Sequence, residues 1–237
     1  MSDIAGSGCR LLTLALPEGI RIAPRRAGMV AALLRKAVMS RVGDPLPPEI
    51  SGHGAQDSPH VAYLPMLDAG RAGASGQVTG VGVLSPPGRA DIAESIRDAL
   101  LIDQPFTLDF RGTRLRFRFP APAEISLESS TWCASARVWT TVTPIVLNRF
   151  PGRGKVAAEL ARTCVRMGLG EPAAITVDRD PLTEGGVALG PADLPRRERT
   201  PRPFSHATIE FPDPIEGPLI LGAQRYLGMG LCLPVKQ

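Results

Sequence analysis

An α+β fold of two tandem ferredoxin-like (RRM-like) units is what this 237-residue sequence predicts. Three observations carry the prediction. Short runs of apolar residues bounded by Gly and Pro mark strands, while longer segments with apolar residues at i, i+3 and i+4 mark helices. In the first half these segments fall in the order β-α-β-β-α-β, the ferredoxin-like unit. In the second half the order partly repeats as βαββ…β, with a glycine-rich stretch where much of the last helix belongs. The predicted units are residues 1–122 and 123–237.

The elements follow in order. Residues 9–16 read as a strand ending at Pro17, and Pro24 suits the first turn of a helix running to about residue 42. Met29, Val30, Leu33, Leu34, Ala37 and Val38 give that helix an apolar stripe, and Arg25, Arg26, Arg35, Lys36 and Arg41 make it basic. The Pro/Gly-rich stretch 43–59 reads as a loop with neither helix nor central strand. Strands are predicted at 60–66 and 77–84, a helix at 90–101, and a hairpin at 106–110 and 115–119. After a Pro/Ala/Ser linker come a strand at 138–147, a helix at 155–168 with Val156, Leu160, Cys164 and Met167 on one face, and strands at 174–177 and 206–211. Trp132 and Trp139 read as core. Two short apolar runs, 219–221 and 231–235, close the chain around the glycine-rich loop.

Composition narrows the class. An apolar content of 43% is ample for a core, and 21% charged residues is ordinary for a soluble protein. The net charge is +4, and with lysine only at 36, 155 and 236, arginine supplies 24 of the 27 basic residues. Guanidinium forks suit phosphate, so a nucleic-acid partner is permitted, though not demanded. Cys9, Cys133, Cys164 and Cys232 form no CxxC pair and sit in or beside apolar runs, the pattern of reduced buried thiols. There is no signal-peptide pattern and no apolar run near the roughly 20 residues that span a bilayer, so a cytoplasmic protein without membrane contact is expected.

Chemistry-bearing residues are few. His53 lies in the polar Ser51-Gly-His-Gly54 loop, His60 opens the strand after Pro59, and His206 opens a strand of the second unit. No Cys or carboxylate cluster completes a metal site around them, so no metal and no cofactor are expected. A loop histidine can move a proton near neutrality, although it is equally a plain surface residue; His60 and His206 read first as structural. No Gly-x-Ser-x-Gly elbow occurs. Arg196, Arg197, Arg199 and Arg202 form the densest basic run. In the terminal loop, Gly222, Gly228 and Gly230 bracket Arg225 and Tyr226. Such a loop can turn amides, a guanidinium and an aromatic ring toward a phosphate polymer, yet glycine-rich turns between strands are also common as pure turn chemistry. It is neither a P-loop nor a dinucleotide fingerprint.

Four segments together carry a family resemblance: Ile50-Ser-Gly-His-Gly54 with Ser58-Pro-His-Val-Ala-Tyr-Leu-Pro65; Gly80-Val-Gly-Val-Leu-Ser-Pro86; Trp139-Thr-Thr-Val-Thr-Pro-Ile-Val-Leu-Asn-Arg149; and Gly217-Pro-Leu-Ile-Leu-Gly222 with Leu227-Gly-Met-Gly-Leu231. On these the chain resembles the CRISPR repeat-RNA endoribonucleases of the RAMP superfamily, and in particular the processing half of the fused type I-U (I-G) protein. The chain is too short for the second RAMP portion of the fused members, so an excised domain or a split version is expected. Gln224 stands where the superfamily pattern often has another glycine.

The resemblance implies antiviral CRISPR RNA maturation by metal-independent cleavage of precursor repeat RNA, leaving 2′,3′-cyclic phosphate and 5′-OH ends. It points to His53 as the catalytic base, with His60 second, and to Arg35 and Lys36 beside the phosphate. For RNA binding it implies Gly222, Arg225, Tyr226, Gly228 and Gly230 of the glycine loop, together with Arg196, Arg197 and Arg199. The implied partners are CRISPR repeat RNA and the other subunits of a type I interference complex. The alternative is a non-catalytic RAMP subunit that holds the repeat-derived end of a guide RNA. A metabolic protein unrelated to either would not carry all four segments.

Overall fold

The computed structural model describes residues 10–53, 59–102, 105–122, 124–195 and 202–235. The chain begins with β1 (Leu11–Ala15), then a 3-10 turn at Pro24–Arg26 leading into α1 (Ala27–Val42). A one-turn helix, α2 (Pro48–Ser51), precedes β2 (Ala62–Leu67) and β3 (Val78–Leu84). Next come α3 (Ala90–Leu101) and the hairpin β4 (Thr107–Phe110) and β5 (Thr113–Arg116). The second half holds α4 (Ser129–Trp132), β6 (Ser135–Thr141), β7 (Ile145–Val146), α5 (Val156–Arg166), β8 (Ala174–Asp178), β9 (Phe204–Glu216) and β10 (Cys232–Pro234).

The mixed α/β class is as expected, and the two main sheets share a plan. In the first, antiparallel β3 lies between β1 and β2, and Arg118 bridges the free side of β1 at Ala15. In the second, β6 lies between β10 and β9, and β8 pairs with β9. In both, the first strand sits beside the third, the second lies outside the third, and the last pairs with the first. The fourth place of the first sheet is held by a bridge rather than a full strand. Helix stripes cover these sheets: Val30, Leu34 and Val38 of α1 and Ile92, Ile96 and Leu100 of α3 are buried in the first half, and Leu160 and Cys164 of α5 in the second.

One core cluster draws on both halves, joining Tyr63, Leu64 and Met66 of β2 to Leu127, Trp132, Val142, Met229 and Leu231. A second cluster, around Trp139, Leu160, Ile209, Phe211 and Leu221, belongs to the second sheet and α5. Burial of apolar area is what holds the halves in register.

Five expectations are corrected. The loop 43–59 does contain a helical turn, α2, because Pro48 stands at a first-turn position where no amide is required. The hairpin's second strand is Thr113–Arg116, two residues before the expected start, since Arg111 and Gly112 make the turn at positive φ. The strand expected at 138–147 is broken between β6 and β7, because Thr143 and Pro144 bond the glycine loop instead of a strand neighbour. β9 runs on through Pro212 and Pro214 to Glu216, the prolines falling where its pairing with β6 shifts register. Among the cysteines, Cys164 and Cys232 are buried free thiols, but Cys133 is disulfide-bonded.

Candidate functional site

The histidine segment is built on α1 and β2. Tyr63, buried in β2, donates its hydroxyl to the Ile50 carbonyl at 2.8 Å, and Arg35 of α1 donates to the Ser51 carbonyl at 2.5 Å. Burial pushes the Tyr63 phenol well above its ordinary range, against the opposing pull of the Arg35 charge, so the hydroxyl keeps its proton and its bond. Ser51 Oγ accepts the His53 amide at 3.1 Å, and the Glu49 carbonyl accepts the Val61 amide at 2.9 Å. The Glu49 carboxylate pairs with Arg89, which also forks onto Asp91 at 2.9 and 2.8 Å. The single turn of α2 is thus fixed from three sides.

Gly52 closes that turn in the left-handed conformation, with φ of 69°. A Cβ there would stand 3.0 Å from the imidazole of His60, so glycine lets the ring lie against the backbone beside His53. His60 is half-buried; His53 and Lys36 are exposed; Arg35 is half-buried.

The glycine loop arrives from the other half. Its bed is the break between β6 and β7: Thr143 Oγ1 donates to the Gly228 carbonyl at 2.8 Å and accepts the Leu231 amide at 2.9 Å. The Pro144 carbonyl accepts the Gly230 amide at 2.9 Å, and the Val146 carbonyl accepts the Ala223 amide at 2.8 Å. A 3-10 turn, Arg225–Leu227, stands where a last helix would be. Gly228, at φ 76°, packs on Pro65 of β2 so closely that a Cβ would lie 2.2 Å from its Cδ. Gly222 and Gly230 are buried against the carbonyls of Val146 and Leu221. Gln224 takes a left-handed φ of 58°, a conformation that favours glycine. The amides of Gly228 and Gly230 bond within the protein, to Arg225 and Pro144, so these glycines shape the loop; Leu227 and Met229 are buried beneath it, and Arg225 and Tyr226 are half-exposed.

The two regions meet at an aromatic stack. The rings of His60 and Tyr226 have centroids 3.4 Å apart at an interplanar angle of 34°. The Arg225 guanidinium lies 4.4 Å from the Tyr226 centroid and donates to the tyrosine hydroxyl at 3.0 Å and to the Gly222 carbonyl at 3.2 Å. An imidazole, a phenol and a fixed cation therefore stand together: a group able to carry a proton, a hydroxyl and a charge that can face an anion.

Other candidates lie elsewhere. His206 is buried in β9: Nε2 donates to the Val187 carbonyl at 3.1 Å, and Nδ1 accepts the Thr141 hydroxyl, 2.9 Å away. That hydroxyl also accepts the Ala207 amide at 3.0 Å, and because the Val187 carbonyl can only accept, a neutral ring carries its proton on Nε2. Burial holds its pKa below the ordinary value, so His206 is structural. Arg196, Arg197 and Arg199 lie outside the described residues. A groove of about 1000 Å³ lined by Arg71, Arg137 and Thr140 contains none of the candidates. Among the described residues no group of three or more His, Cys, Asp or Glu is placed to hold a metal, and no helix is long and apolar enough to cross a membrane. Thr143 and Pro65 seat the loop, although neither is among the expected site residues and the stretch Thr140–Pro144 reads from sequence as core and strand edge. Their signal was the positions themselves, inside two of the resembling segments.

Residues 123–234 match the family described as "CRISPR-associated protein, GSU0054 family". The second half of the chain is thus similar to that family. It takes in β6 to β10 and the whole glycine loop, just under half of the chain. No curated protein matches the chain. Among solved structures, one described as "An RAMP protein binding different RNA substrates" is similar at 13% identity and a TM-score of 0.48, covering 95% of this chain and 98% of its own. Another, "CRISPR associated protein Cas6", is similar at 12% identity and a TM-score of 0.47, with the same two coverages of 95% and 98%.

Proposed function

We propose that the protein matures CRISPR RNA by cutting precursor repeat RNA without a metal ion, as the processing unit of a type I-U-like system and a partner of the other subunits of its interference complex. The observation that carries this reading is the His60–Tyr226 stack, which joins the histidine segment to the glycine loop of the CRISPR-associated half. His60 takes the proton of the ribose 2′-OH, the 2′ oxygen attacks the adjacent phosphorus, and the bond from phosphorus to O5′ breaks. A proton passes to O5′, leaving a 2′,3′-cyclic phosphate and a 5′-OH. Arg225 faces the charge that builds on the phosphate, with Arg35 and Lys36 on the α1 side. His60 stands at the junction, whereas His53 sits exposed on the bend beside it, so His60 is the proton carrier and His53 an RNA contact.

The test is incubation of the protein with repeat RNA from its own array in EDTA, beside His60→Ala and His53→Ala. Wild type is expected to cut; His60→Ala should bind but cut on the order of 10²–10⁴ times more slowly, and His53→Ala should keep most of the rate. Binding without cutting by the wild type would establish the guide-holding subunit instead. A requirement for Mg²⁺ would overturn the chemistry.

A further inference from the structure

A second cationic surface lies outside the stack. Glu159 of α5 is buried, its side chain 3% exposed, and three arginines converge on its carboxylate. Oε2 accepts from Arg162 at 2.7 and 3.3 Å and from Arg149 at 3.2 Å; Oε1 lies 3.5 Å from Arg166, which also donates to Thr163 Oγ1 at 2.9 Å. The arginine side chains themselves are 67%, 53% and 51% exposed for Arg149, Arg162 and Arg166. One buried carboxylate thus orders three guanidinium forks that face solvent, and the cluster keeps an excess of two positive charges. Phe150, beside Arg149, is 73% exposed. Arg153 and Lys155, also exposed, precede the helix.

We infer that this arginine claw binds the phosphodiester backbone of the same RNA, with Phe150 as a stacking platform for an unpaired base. The inference rests on the reading of the protein as a repeat-RNA binder. Its position supports a shared ligand: Arg149 follows Val146 by three residues, a reach of at most about 11 Å, and the Val146 carbonyl holds the Ala223 amide of the glycine loop. An RNA strand followed along that loop to Val146 comes within reach of Arg149. Its chemistry is selective as well. Planar forks match phosphate oxygens bidentately, and an exposed aromatic beside them serves a base better than it serves an acidic peptide. Glu159 is the positioning residue, since it fixes the forks before the ligand arrives.

The test measures binding of fluorescein-labelled repeat RNA across salt concentrations, with Arg149→Ala/Arg166→Ala and Phe150→Ala. The double variant retains the Arg162–Glu159 pair, so the carboxylate is not stranded. Its plot of log affinity against log salt is expected to flatten by about 1–2 units, with affinity down roughly tenfold at physiological salt. Phe150→Ala is expected to weaken binding about fivefold or more with an unchanged slope. Should thermal melting show that the double variant does not fold, Arg149→Gln alone, on the most exposed of the three, is expected to remove about one unit of slope. An unchanged slope and affinity in these folded variants, while the wild type binds RNA, overturns the claw and leaves an acidic protein surface as its occupant. A wild type that fails to bind RNA removes the functional reading and this inference together.

Discussion

The connection between the third and fourth strands is made twice in this chain, and the two versions differ completely. After β3 it is α3, a regular helix that packs on α1 of its own half, with Ile92, Ile96 and Leu100 buried. After β9 it is the glycine loop, which has a single 3-10 turn and leans across to β2 of the other half through Gly228 on Pro65 and Tyr226 on His60. A helix stabilises the unit that owns it. A loop that gives up the helix gains reach, and here the reach ends at the histidine. The candidate chemistry lies where the second copy of the plan departs from the first.

The sharpest way to break this comparison is to damage each connection separately. Ile96→Ala empties a buried site in α3 and is expected to cost about 3 kcal/mol of stability, read by denaturant unfolding. Below its unfolding transition it should still cut RNA within about twofold of the wild-type rate, because the junction is intact. Gly228→Val puts a branched side chain at φ 76° against Pro65. It is expected to cost as much or more, roughly 2–6 kcal/mol from strain and overpacking together, and to slow cutting by the folded fraction on the order of a hundredfold by shifting Tyr226 and Arg225. If both variants lose activity only in proportion to the fraction unfolded, the loop is no more functional than the helix.

Acid sharpens the comparison, because two buried groups that titrate in acid, His206 and Glu159, lie in the second half. His206 has its folded pKa below the ordinary 6.5, and Glu159 is held at about 2 instead of 4.5, chiefly by its bonds from Arg162 and Arg149. In each case the unfolded chain binds the proton first. The stabilising contribution is therefore complete above the unfolded value and is lost as pH falls below it. The melting temperature should hold near pH 8, decline as pH drops below about 6.5, and decline again below about 4.5. In His206→Asn the first decline should vanish while the second remains. A flat profile from pH 8 to 5 in the wild type would mean that His206 is not held neutral by the fold.

How much of this was legible beforehand follows physical lines. α3 matches its expected span because Ile92, Ile96, Ala99 and Leu100 keep helical spacing without interruption. α5 and β8 were equally readable. β9 was not, since Pro212 and Pro214 signal an end to any strand unless pairing shifts around them, as it does here. The α2 turn was hidden for the same reason: proline excludes helix interiors but not a first turn. Tyr226 stands out from local chemistry, whereas His60 reads locally as structural and becomes a candidate only through the family resemblance; nothing local reveals that the two touch. Contacts between distant segments depend on how the halves dock, and that is decided by the shared core around Tyr63 and Met229. Thr143 reads from sequence as core and strand edge, because its hydroxyl shows its role only once its partners in the loop are known.

The smallest expected effect separates ring from hydroxyl at the junction. Tyr226→Phe keeps the stack on His60 and the face under Arg225 but removes the oxygen that accepts an Arg225 N–H at 3.0 Å. A hydrogen bond of this kind is modest in net terms, and the guanidinium retains its bond to the Gly222 carbonyl. Cutting by Tyr226→Phe is expected to slow only about threefold, whereas Tyr226→Ala, which removes the ring against His60, should slow it far more. Equal losses in the two variants would assign the role to the hydroxyl itself, as a proton donor to the leaving oxygen, and the stack would then be no more than its support.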